Sequence, residues 1–178
     1  MKTENLAIRL LILLLGVFIL AFGVALSIRS DLGTTPISSV PYVYNIKFTT
    51  ISVGTFTILL NIIFVVIQVF LLKRNFKLFH LLQIPVLILF GWFIDINLLF
   101  TASFIPSGYI MQWIFCLVSC FIIAFGVFLQ VKANVSILPG DGLVIAVAES
   151  FKKEFGITKI IFDSLLVAIA LISTLILT

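Results

Sequence analysis

Five apolar runs, each long enough to cross a bilayer, constrain what this chain can fold into more than any other feature. They cover residues 6–28, 51–72, 78–100, 109–131 and 157–178. An α-helix rises about 1.5 Å per residue, so roughly 20 apolar residues match a hydrocarbon core about 30 Å thick. A lone segment in that core must satisfy its own backbone N–H and C=O groups, and a helix does so. The first run exceeds the roughly 7–15 residues of a signal-peptide core, and no small-residue cleavage site follows it. It reads as a retained helix. Composition agrees, with 62% hydrophobic and 10% charged residues, against about 45–50% and about 25% in soluble domains. Residues 1–178 therefore read as a single transmembrane domain.

The formal charge of +4 does not point to nucleic acid, because the basic residues sit at the ends of the apolar runs rather than in one patch. Lys2 and Arg9 flank the first run, and Lys73, Arg74 and Lys77 join the second to the third. Lys132, Lys152, Lys153 and Lys159 join the fourth to the fifth. On an alternating path these nine share one side, while the other side receives Arg29 and Lys47. By the positive-inside rule the N-terminus is expected in the cytoplasm. Tyr109 and Trp113 fit an interfacial position at the outer start of the fourth run. Cys116 and Cys120 share a helix face and read as small, buried packing residues. His80, at the basic end of the third run, reads as solvated.

The chain also repeats itself. Ala21-Phe22-Gly23-Val24 returns as Ala124-Phe125-Gly126-Val127, an offset of 103 residues. The same offset sets Arg29 against Lys132, Asp31 against Asn134, and Pro36 against Pro139. After a one-residue slip, Gly54 matches Gly156 and Asn61 matches Asp163. Three spans separate the halves, so equivalent helices run in opposite directions. That is an inverted-topology repeat, an arrangement common among transporters. Repeat unit one covers about 1–100 and repeat unit two about 109–178. A counterpart of the third span would begin near residue 181, past Thr178, so a sixth helix is expected to be missing, either from these residues alone or from the protein itself.

Two polar, proline-bearing segments follow the first and fourth runs. In the first, Thr34 or Thr35 can cap a helix that opens on Pro36, where a missing N–H costs nothing. The second carries Pro139, Gly140, Asp141 and Gly142. Both suit short helices that either re-enter the bilayer or lie at its surface. Re-entrant N-termini would direct unpaired N–H groups inward and favour polar or anionic ligands. Within the spans, Asp95 and Asp163 are costly groups of the kind found in proton relays and substrate contacts. The plainer readings are an interfacial carboxylate beside Arg29 for Asp95, and a pair with Lys159 one turn back for Asp163. Asn61 and Asn97 read as hydrogen-bonding residues between helices. The substrate-path candidates are Arg29, Asp31, Thr35, Pro36, Asp95, Asn134, Pro139, Asp141 and Asp163.

No metalloprotease, nucleophile-elbow, phosphate-loop or dinucleotide motif occurs, and the chain has one histidine. Neither an enzyme activity nor a cofactor nor a metal is expected. In the stretch from Gly23 through Arg29, Asp31 and Gly33 to Pro36, the chain resembles the YczE/YitT-type family of bacterial multi-pass membrane proteins. The resemblance continues in Ser52-Val53-Gly54, Gln83-Ile84-Pro85, Gly91-Trp92-Phe93-Ile94-Asp95 and Leu138-Pro139-Gly140-Asp141-Gly142. It implies a six-helix fold and the bacterial inner membrane, and it implies no substrate.

These readings combine into an all-α integral membrane protein with five transmembrane helices in an inverted-topology repeat, three plus two, and two proline-led short or re-entrant helices. The expected function is that of a small transporter or permease for an unidentified small polar or anionic solute. The alternative is a non-transporting subunit or assembly factor of a larger complex. Expected partners are the lipid bilayer, such a solute, and either further copies of the chain or a larger membrane complex.

Overall fold

A computed structural model describes residues 5–73 and 81–177, so Lys2, Arg74, Lys77 and His80 lie outside the described residues. Seven helices follow in order: α1 (Leu6–Arg29), α2 (Pro36–Lys47), α3 (Val53–Leu72), α4 (Gln83–Phe100), α5 (Tyr109–Ala133), α6 (Pro139–Phe151) and α7 (Phe155–Leu177). Five of them, all but α2 and α6, are long and apolar enough to cross a membrane. No strand occurs among the described residues.

Local chemistry trims the apolar runs. The second run opens at residue 51, yet α3 starts at Val53 because the Ser52 hydroxyl accepts from Thr55 N–H at 3.1 Å. The third run opens at residue 78, which lies outside the described residues, and the helix described there begins at Gln83. Pro85 falls in its first turn, where no N–H is needed. At the other end of the chain α7 begins two residues before its apolar run. There the hydroxyl of Thr158 donates to the Glu154 carbonyl at 2.9 Å.

The chain divides into two compact units, each drawing on both halves of the sequence. One runs up to Thr34 and adds Trp92–Ile137; the other holds Thr35–Gly91 and continues from Leu138. Helix α4 contributes to both, changing membership after Gly91.

In the first unit α1 and α5 pack antiparallel through glycines. A Cβ on Gly126 would lie 2.6 Å from Leu20 N, and one on Gly23 would lie 2.9 Å from Ile123 N. The two contacts are reciprocal, because the 103-residue offset carries Leu20 to Ile123 and Gly23 to Gly126. Without side chains there, the backbones approach closely, a common basis of helix pairing in lipid. This geometry corrects the reading of the cysteines as buried. Helix α5 meets α1 through Ser119, Gly126, Gln130 and Ala133, which turns Cys120 outward and leaves Cys116 half-exposed.

The second unit closes on a core of Val40, Phe64, Leu143, Leu166 and Ala170. Helix α2 packs on α7 and α3, while α6 packs on α3 and α7. The core is nearly closed under the sequence offset: Val40 pairs with Leu143, and, after the slip, Phe64 pairs with Leu166. Element boundaries follow the same rule. The starts of α1 and α2 fall on those of α5 and α6 at an offset of 103, and α3 on α7 at 102.

Candidate functional site

The two proline-led helices start alike. Thr35 caps α2, its hydroxyl accepting from Ser38 N–H at 3.3 Å and donating to Ser38 Oγ at 2.9 Å, and Pro36 takes the first helical position. Leu138 precedes α6 without a side-chain cap; Pro139 is again first, and Asp141 supplies a carboxylate to the first turn. A carboxylate there is favoured by the helix dipole. The two first turns meet. A Cβ on Gly140 would stand 2.8 Å from Ile37 Cδ1, and the offset carries Ile37 onto Gly140 itself.

Helix α6 is then gripped from two sides. Toward α7, Lys159 Nζ lies 3.0 Å from Asp141 Oδ1 and 3.2 Å from Asp163 Oδ1. The first contact is a hydrogen bond. The second is an ion pair without hydrogen-bond alignment, which leaves Asp163 Oδ1 buried and unbonded. The Lys159 ammonium also stands 6.0 Å from the Phe162 ring. The result is a lysine between two aspartates, with a formal charge of −1. At the equivalent positions of the first half stand Ser38, Thr57 and Asn61, all buried and all neutral.

On its other side α6 meets a pair of buried glutamines. Gln83 Nε2 donates to Gln68 Oε1 at 3.1 Å, and Gln68 Nε2 donates to Gln83 Oε1 at 3.3 Å and to the Pro139 carbonyl at 3.0 Å. Both amide oxygens come within 3.0 Å of where a Cβ on Gly142 would lie, so a side chain there would press on the glutamine pair. Of the candidates read from the sequence, Pro139, Asp141 and Asp163 thus gather around one helix start, joined by Lys159, Gln68 and Gln83. Gln68 was missed. A lone amide in a span announces a need for a partner but not which partner.

The chain belongs to DUF6198, a family of unknown function. The match covers residues 7–178. No curated protein and no solved structure matches the chain.

Among the remaining candidates of this DUF6198 chain, Arg29 has a structural partner of its own. Arg29, at the end of α1, donates through Nη2 to the Leu98 carbonyl at 2.7 Å, in the last turn of α4. Arg9 does the same for α5, through Nε to the Ala133 carbonyl at 2.9 Å and through Nη2 to the Asn134 carbonyl. Lys47 donates to the Leu177 carbonyl at the end of α7. Three basic side chains therefore satisfy carbonyls at three helix C-termini, where positive charge is favoured. Asp31 and Asn134 are exposed and both adopt left-handed backbone, at φ 57° and 47°. Asp95 is half-buried on α4, three residues before Leu98.

Asn61 and Asn97 depart from the interhelical role read for them. Each is buried and donates at 2.8 Å to the carbonyl one turn back on its own helix, Thr57 and Phe93 respectively, the nearest acceptor available. Asn97 also lines an apolar cleft of about 360 Å³ with Phe18, Phe22, Ile96 and Phe100. Among the described residues no group of three His, Cys, Asp or Glu side chains is arranged to hold a metal ion.

Proposed function

We propose that this chain is a small permease for a polar or anionic solute, built as an inverted-topology repeat, with no enzymatic activity of its own. The observation that carries this reading is the meeting of the two proline-led helices at their first turns, Ile37 against Gly140. In an inverted repeat the pseudo-two-fold axis lies in the membrane plane, and transporter sites lie near it, where half-helix N-termini face the solute. A contact between equivalent residues belongs on such an axis. The reading is supported by the coincident helix starts, by the reciprocal glycine contacts of α1 and α5, and by the shared left-handed backbone of Asp31 and Asn134. Thr35, Pro139, Asp141, Lys159 and Asp163 then border the solute path. Arg29 is a structural cap in this reading. Kinship with the YczE/YitT-type proteins rests on the stretches quoted above. With it goes a place in the bacterial cytoplasmic membrane, N-terminus inside.

One observation favours the second reading, a non-transporting subunit or assembly factor. The contact at Ile37 and Gly140 is tight, and the cleft of about 360 Å³ is apolar.

Two measurements separate the possibilities. Phe48→Cys and Phe151→Cys, equivalent positions just past α2 and near the end of α6, should react with an impermeant thiol reagent from opposite sides of the membrane. Reaction from the same side rejects the inverted repeat. In proteoliposomes, a panel of small carboxylates, phosphate and sulfate should reveal at least one current that Lys159→Met abolishes. Silence across the panel with folded protein favours the subunit reading.

A further inference from the structure

The Asp141–Lys159–Asp163 group has a control within its own unit. Its equivalents Ser38, Thr57 and Asn61 are buried and neutral. Two of them settle their hydrogen bonds on their own helix: Thr57 Oγ1 donates to the Val53 carbonyl and Asn61 Nδ2 to the Thr57 carbonyl, each at 2.8 Å. Packing at these positions therefore needs no charge. Ionised groups inside a membrane-spanning bundle are costly and mark places where something is bound or carried. At about 1.5 Å of rise per residue, Asp163 lies about 12 Å along α7 from Phe155, well inside the span.

The three charges do not balance. Lys159 serves two carboxylates, hydrogen-bonds to Asp141 at 3.0 Å, and leaves Asp163 Oδ1 buried without a donor. The helices packed on α7 bring no second cation to it. Helix α2 carries Tyr42, Tyr44 and Lys47. Tyr44 packs on Phe48 and Phe56, and Lys47 binds the Leu177 carbonyl at the far end of α7. Helix α6 adds Glu149, which is exposed, and α3 has no ionisable side chain.

An anion approaching Lys159 would meet a group already at −1 and take it to −2. A proton on Asp163 changes that sum. With its carboxyl neutral, Lys159 keeps its hydrogen bond to Asp141 and turns its remaining donors to the anion. Loaded with a proton and a monoanion, the group carries −1, the charge it has when empty. Each uncompensated charge taken out of water is costly, so the anion enters more readily with the proton than without it.

We infer that Asp163 is a proton site coupled to an anion site at Lys159, and that one proton travels with each solute anion. The inference deepens the permease reading and rests on it. The step makes one bond, Oδ1–H on Asp163, and releases one contact, the ion pair of Asp163 with Lys159; no electrons move between groups. A proton that tightens anion binding is itself held more tightly once the anion is bound, which is the condition for co-transport.

The test follows sulfate and small carboxylates, fully ionised throughout, binding to the detergent-solubilised chain by calorimetry across pH. Affinity should rise as pH falls, by about tenfold per pH unit where Asp163 is ionised. Asp163→Asn, neutral at every pH, should remove that slope, and Glu149→Gln should keep it. Infrared difference spectra on acidification should show a carboxylic C=O band that Asp163→Asn diminishes. In liposomes holding a trapped pH dye, an inward anion gradient should acidify the interior, and a dianion should still carry current. Anion binding or flux without a pH slope, or acidification spectra identical in parent and Asp163→Asn, overturns the proton site and leaves the permease standing. Folded protein that neither binds nor moves any of these anions at any pH overturns both.

Discussion

Lys159 is the residue on which the charge balance of α6 and α7 turns. Replacing it with methionine leaves Asp141 and Asp163 facing one another without a cation. Removing one partner of a fully buried pair costs about 3–5 kcal/mol. These side chains are 27–31% exposed, so about 1–3 kcal/mol is the expected loss once solvent screening is allowed for. Asp163→Asn copies Asn61, its equivalent, and keeps the Asp141–Lys159 bond; it should cost less than Lys159→Met. Thermal unfolding in detergent ranks the two, and the reverse order would contradict the geometry. Gly126 offers a second contrast. A side chain there meets the backbone of Leu20, which cannot rotate away, so Gly126→Leu should lower stability by about 3 kcal/mol or more. Gly156→Ala should stay within about 0.5 kcal/mol of the parent.

At the scale of elements, the spans and both short helices were legible because hydropathy, proline and a capping threonine are local signals. Side-chain partnerships were legible only where sequence spacing fixes them. The Lys159–Asp163 pair, one turn apart, was readable. The Lys159–Asp141 pair and the Gln68–Gln83 pair were not, since they depend on how separate helices meet. For the same reason Asn61 and Asn97 were read as bridging helices when each turns back on its own. The glutamine pair makes a testable unit. Gln68→Leu strands the Gln83 amide, at about 1–3 kcal/mol for an unsatisfied buried group. Adding Gln83→Leu should cost little more or recover part of the loss, because the second substitution removes the stranded partner. Strict additivity in chemical unfolding would show that the two amides act independently.

For the whole molecule, charge bias predicts orientation: Asn75→Cys should label from the N-terminal side and Ile105→Cys from the opposite side, and labelling from one side rejects the topology. The two basic residues that run against that bias, Arg29 and Lys47, each bind the carbonyl end of a helix. From sequence both counted only against the bias, and Arg29 as a substrate-path candidate, because capping between distant segments leaves no local trace. Lys47 adds a matter of timing. Its partner Leu177 lies 130 residues further on, and ribosomes add about 5–20 residues per second. For roughly ten seconds of synthesis, then, α2 has been made while its lysine is unpaired and α7, on which it packs, is unmade. Lys47 is exposed even in the finished protein, so water or lipid phosphate can solvate it meanwhile. Slowing translation between α2 and α7 should therefore lengthen the interval in which α2 is open to protease, while leaving the finished protein unchanged.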